Sequence, residues 1–167
     1  MRRDQGIQYD PKAQKAIDNL KRIKENTRRG MHKAFNDIGK DLVATSKKMI
    51  LSKDKTGKVY YDVSYVSTAG KNAGKSRVKK THRASAPGQA PANLSGRLYK
   101  SLGYTIQGGK EISFGNKAPY AAKLEFGGDN VLPRPYLLPS INANKKNIEQ
   151  HFKSKIIVEI TAGAPTE

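Results

Sequence analysis

The sequence contains no cysteine. That excludes disulfides, thiol nucleophiles and every zinc site built on Cys, and it is in keeping with a reducing compartment. Histidine is nearly as scarce. His32, His82 and His151 stand far apart, none with a second ligand at helical or hairpin spacing, so a zinc or iron centre is not expected. Acids are few, with 14 Asp and Glu against 32 Lys and Arg. In the central part of the chain only Glu111, Glu125 and Asp129 are available, and no acid stands between Asp62 and Glu111. No G-x-S-x-G, phosphate-binding P-loop or D-x-D cluster is present. "GRLYKSLGY" supplies Arg, Tyr, Lys and Ser, but no base is placed to activate the Ser. Neither an enzyme nor a cofactor is expected. No run approaches the roughly 18 apolar residues of a membrane span. "MRRDQGIQYDPKAQ" has positive charge but no apolar stretch, so it is not expected to be a secretory signal.

What remains is a basic chain of 167 residues with a net charge of +18, 36 % hydrophobic and 28 % charged. The length suits one domain with a single core, and the low apolar content points to arms or loops that do not pack on it. The expected organisation is a basic tail over 1–9, one domain over 10–160 with a protruding basic loop at 66–83, and a tail at 161–167. A charge of +18 opposes compaction of an isolated monomer. It calls for a polyanion or for acidic neighbours in an assembly, unless it serves only solubility.

"YDPKAQKAIDNL" starts a helix, with Asp10 as cap and Pro11 at the first helical position. Ile17, Leu20, Ile23, Met31, Phe35, Ile38, Leu42, Met49 and Ile50 follow at steps of mostly three and four, which predicts one inward stripe. A helix from 11 to 51 is about 60 Å long, too long for one small domain, so part of it should project, bend or pack on another subunit. Gly30 is a candidate bend. "KVYYDVSYVS" alternates as a strand, and a Gly/Lys loop then leads to a short basic strand. In "HRASAPGQAPANLSGRLYKSL", Pro87 and Pro91 fix φ and Gly88 permits a turn. Asn93 or Ser95 can cap a helix carrying Leu94, Leu98 and Leu102. "YTIQGGKEISFG" reads as a hairpin turning at Gly108 and Gly109. "APYAAKLEFGG" reads as a short helix ended by Gly127 and Gly128, and the last helix should cover about 136–157. The fold class is α+β: a small antiparallel sheet of three or four strands packed against a long N-terminal helix, two short helices and a C-terminal helix.

Two charged features have competing readings. Lys71, Lys75, Arg77, Lys79, Lys80 and Arg83 form a basic arm that either contacts DNA or acidic neighbours, or is a solvated loop. It lacks interleaved aromatics, so sequence-specific readout is not expected. Glu125 is more simply a structural partner of an arginine such as Arg97 or Arg134 than an acid in a site. "PRPYLLPS" should launch the last helix at a fixed angle, with Pro135 in its first turn.

The order "TGKVYY", "HRASAPGQAPANLSGRLYKSL", "GNKAPYAAKLEFGG", "PRPYLLPSI" resembles the tail-completion or head–tail joining proteins of tailed bacteriophages over about residues 56–141. The family pattern maps onto Ala86, Pro87, Gly88 and Pro91; onto Ser95, Gly96, Arg97 and Leu98; onto Tyr120, Ala121, Leu124, Glu125 and Gly127; and onto Arg134, Pro135 and Leu137. Ser95 stands where Thr is more usual, and Gly128 where Thr often follows. The resemblance implies a structural virion protein. It would form a ring, commonly of six subunits, between capsid connector and tail tube, around the path of DNA. The implied partners are other copies of this chain, adjacent neck or connector proteins and the tail tube protein, with non-specific contact to passing double-stranded DNA and no membrane. The implied location is the virion, and the host cytoplasm during assembly. Pro87, Gly88, Pro91, Leu94, Arg97, Tyr120, Glu125, Arg134 and Pro135 are then the expected interface residues. The alternative is a sequence-nonspecific basic nucleic-acid-binding protein.

Overall fold

The computed structural model describes residues 10–66, 70–72 and 76–162, with side chains left aside over 62–66, at 72, over 76–81 and at 162. The fold is α+β. Helix α1 is Pro11–Leu51, strand β1 Val59–Val66, a 3-10 turn Gly70–Asn72, and strand β2 Ser76–Arg83. Helix α2 is Arg97–Lys100, β3 Leu102–Gln107, β4 Glu111–Asn116, α3 Ala121–Phe126, α4 Leu137–Ala143 and α5 Lys145–Ala162. The four strands make two separate two-stranded ribbons, β1–β2 and β3–β4, where one sheet was expected. Between β2 and β3 the chain passes through Pro87, Pro91 and helix α2 before β3 begins.

The chain divides into two compact units, and α1, β3 and β4 contribute to both. One unit takes the chain up to Ile38, Ile106–Ile112 and the chain from Lys146. Here α1 packs against α5. Ala34, Phe35 and Ile38 are buried, and Phe35 meets Phe152 edge to face at 5.3 Å. Gly30 does not break the helix. It is buried, and a Cβ there would lie 2.9 Å from the Lys155 carbonyl oxygen, so its role is close approach of α5. Ion pairs add to the contact: Glu159 with Arg29 and Lys33, and Asp37 with Lys155. The predicted inward stripe stops short at its N-terminal end, where Leu20 and Ile23 are exposed.

The other unit takes Gly39–Thr105 and Ser113–Lys145. Its core is Ile50, Leu98, Leu102, Ala118, Ala121 and Tyr136, with Val43, Phe114 and Leu124 packed around it. Gly39 is pressed against Tyr104: a Cβ there would sit 2.4 Å from the ring. Beneath Tyr136, the Ser46 hydroxyl donates to Ser140 Oγ at 2.8 Å, and Ser140 donates to the Leu137 carbonyl at 2.7 Å. The expected single last helix is two. Asn144 stands at the break: its N–H still closes α4 on the Ser140 and Ile141 carbonyls, and its side-chain amide donates to the Ser140 carbonyl and to Thr45 Oγ1, both at 2.8 Å. Beyond the break, α5 runs to Ala162, past the expected end near 157. The hairpin is as expected. Lys110 N–H closes on the Gln107 carbonyl at 3.1 Å, and Gly108 and Gly109 sit at φ 58° and 68°, a type I′ turn.

Candidate docking cleft

The loop between β2 and α2 is held by its own chain. Ala86, Pro87, Gly88 and Gln89 form a turn closed by the Gln89 N–H on the Ala86 carbonyl at 3.1 Å, with Gly88 at φ 78°. Proline second and a positive-φ glycine third is type II chemistry. Gln89 then acts as a hub. Its Oε1 accepts from the Thr56 and Ala86 amides at 3.0 Å each, and its Nε2 donates to the Asp54 carbonyl at 3.3 Å. Lys55 Nζ bridges the Met49 and Ala90 carbonyls at 2.9 and 2.7 Å, and burial holds its pKa below the ordinary lysine value despite the Asp54 charge. The Gly88 N–H donates to the Pro133 carbonyl at 2.8 Å, and Arg134 Nε donates to the Ser85 carbonyl at 3.2 Å. Loop 82–96 and "PRPYLL" are therefore one connected structure.

Glu125 completes that structure. Its carboxylate is buried and accepts from the backbone N–H groups of Tyr136, Leu137 and Leu138 at 2.8, 3.0 and 2.9 Å. The expected arginine partner is thus replaced by the first amides of α4, which otherwise have no intrahelical acceptor. The Arg134 amide donates back to the Leu124 carbonyl, so α3 and the segment before α4 are tied at both ends. Tyr136 is fully buried. Among the described residues its hydroxyl has no partner in hydrogen-bonding geometry, and the nearby Asn116 side chain bonds the Leu98 carbonyl and the Ala118 amide. Burial, then the Glu125 and Tyr120 charges, push its pKa well above the usual tyrosine value.

These elements enclose a cleft of about 500 Å³. Pro91, Leu94, Tyr120 and Arg134 line it, together with Tyr60 and His82. Tyr60 and His82 are direct cross-strand partners in β1–β2, and both were missed as site residues. Pairing "KVYYD" with "KKTHR" in register is the signal that would have placed them opposite each other. Pro87 and Gly88 are exposed at the turn, and Pro135 is half-buried before α4. Arg97 opens α2 and is exposed. That helix is one turn long and begins after Gly96 at φ 78°; Ser95 Oγ accepts from the Arg97 N–H at 3.4 Å, while the cap position itself is Gly96. Leu94 consequently lies outside the helix and is 75 % exposed, while Leu98 is buried. Phe126 and Leu132 are also exposed, at 80 % and 60 %. Large apolar side chains in such positions mark a contact surface when they cluster.

Of the basic arm, Lys71 lies on the 3-10 turn and is exposed, and Arg83 ends β2, opposite Val59. Arg77, Lys79 and Lys80 fall in β2, and Lys75 lies outside the described residues. Among the described residues no His, Cys, Asp and Glu cluster could hold a metal, and no helix is long and apolar enough to cross a membrane. No protein-family model matches the chain, and no match was found among curated proteins or solved structures.

Proposed function

We propose that this chain is a structural protein of the neck of a tailed bacteriophage. It forms a ring, hexameric by the resemblance, that joins capsid connector to tail tube around the DNA path, in a tail-completion, terminator or adaptor role. One observation carries the reading. The segments that bear the resemblance, apart in sequence, are tied into one frame: Gly88 to Pro133, Ser85 to Arg134, and Glu125 to the start of α4. That frame presents exposed Leu94 at a preformed cleft, and Phe126 and Leu132 are exposed on the same unit. A frame fixed before contact loses little entropy on docking, which suits a protein that must fit neighbours in a ring. On this reading the basic arm meets acidic faces of neighbours.

Electron microscopy of intact particles at side-chain resolution tests the proposal. The expected result is a ring of this chain between connector and tail tube with Leu94 covered. Leu94→Asp, a change at an exposed position, should leave the isolated protein folded by circular dichroism and reduce particle assembly at least about tenfold, a loss of about 1.4 kcal/mol. Particles that lack the chain, or that assemble normally with Leu94→Asp, would overturn it.

A further inference from the structure

We infer that the unit built on α5 and the first part of α1 carries a second site, which binds the phosphodiester backbone of nucleic acid. Arg28, Arg29, His32 and Lys33 on α1, with Gly108 and Gly109 of the hairpin turn, line a cleft of about 290 Å³. No acid and no aromatic residue lines it. Acids reach its rim. Glu25 stands 3.5 Å from Arg28 Nε, and Glu159 is shared between Arg29 Nε, at 3.6 Å, and Lys33. Three permanent cations thus have two carboxylates between them, and His32 adds a fourth nitrogen-bearing group. The three cationic side chains are 66, 63 and 58 % exposed, so the donors these ion pairs leave over face solvent. Arginine forks fit phosphate oxygens in pairs, which makes this residue set selective for oxyanions.

The other wall suits the same ligand. Gly108 and Gly109 carry no side chain, and a Cβ on Gly109 would meet only Arg28 Cγ, at 3.8 Å. A two-residue turn closes its hydrogen bonds on the flanking residues and leaves the central amides outside the ladder. Those amides are donors for an oxyanion that comes close to the backbone. The absence of aromatics removes base stacking, so the phosphate is what is held and sequence is not read. From Arg28 to Lys33 the helix rises about 7.5 Å, the length of about two phosphates along one strand. A free phosphate offers the same oxygens, but only a polymer also gains from the net charge of +18. The inference uses none of the residues of the 71–83 arm and stands whether or not the neck reading holds.

The test is binding of the full chain to a short labelled duplex of arbitrary sequence, measured by fluorescence anisotropy over a range of salt. Arg28→Gln with Lys33→Gln leaves Arg29 on Glu159 and should lower the slope of log affinity against log salt by about two. Lys146→Gln with Lys153→Gln removes the same charge from exposed positions of α5 and should change it far less. Equal losses from both pairs would mean diffuse attraction only and would overturn the site. Should the first pair unfold the protein, the wild-type amide resonances of Gly108 and Gly109 decide. They should shift on adding duplex; silence there refutes the site. Inorganic phosphate that saturates the same shifts and displaces the duplex would also refute the assignment to nucleic acid.

Discussion

Replacing Glu125 with alanine removes the acceptor of three backbone amides at once. The three losses are unequal. The Tyr136 amide belongs to a fully buried residue, and water cannot take over its bond. Leu138 is 59 % exposed, so its amide can be rehydrated, and Leu137 lies between these cases. A buried amide left unsatisfied costs about 1–3 kcal/mol, and a hydrogen bond to a charged group contributes about 1.5–3 kcal/mol. Relief of carboxylate desolvation offsets part of this. The net expectation for Glu125→Ala is a loss of about 3–4 kcal/mol. For a chain of this size that is about 10 °C in Tm. Glu125→Gln keeps one acceptor oxygen and should lose about half as much. Guanidinium and thermal denaturation followed by circular dichroism measure the total. Hydrogen exchange at the amides of residues 136–138 reads the cap itself. A loss below about 1 kcal/mol, with exchange at those amides unchanged, would refute the argument that Glu125 anchors α4.

Gly39→Ala places a Cβ against the Tyr104 ring and should destabilise by about 2 kcal/mol, as overpacking does. In a double-mutant cycle with Tyr104→Ala most of that cost should vanish, and purely additive effects would contradict the contact. Glu159 is one of the two acids of the α1–α5 contact, and its hydrogen bond to Lys33, with the Lys33 and Arg29 charges, holds its pKa below 4.5. The unfolded chain therefore binds this proton more readily, so the contribution is present above pH 4.5 and is lost as pH falls through the lowered value. The difference in Tm between wild type and Glu159→Gln should accordingly shrink below that pH, and a difference that stays constant down to pH 3 would count against the pairing.

Much of the fold was legible because it rests on local rules. The steps of three and four in α1, the alternation in β1 and the Gly-Gly turn need only neighbours in sequence. What failed depends on partners far along the chain. Glu125 finds amides eleven to thirteen residues on, and nothing near it announces that the Arg97 or Arg134 pairing loses to them. Gly30 looked like a weak point in α1 because the helix that needs its missing Cβ, α5, lies more than a hundred residues later. Asn144, where the last helix breaks, is tied by its side chain to Thr45, again a distant residue. At the cleft, Pro91, Leu94, Tyr120 and Arg134 were recognisable from motif order. Tyr60, His82 and Gln89 emerged only once strand register and turn geometry were fixed.

The irregular register of β1 and β2 bears on solubility. A two-stranded ribbon has two open edges, and each is a row of backbone donors and acceptors on which a stray strand can polymerise. The shifts at Asp62/Val63 and between Val63 and Val66 cut those rows into short lengths and add twist. Amyloid-like stacking on this ribbon would require an incoming strand to match both offsets. Further strand addition to the ribbon is thereby disfavoured, and contact with other molecules is left to side-chain surfaces.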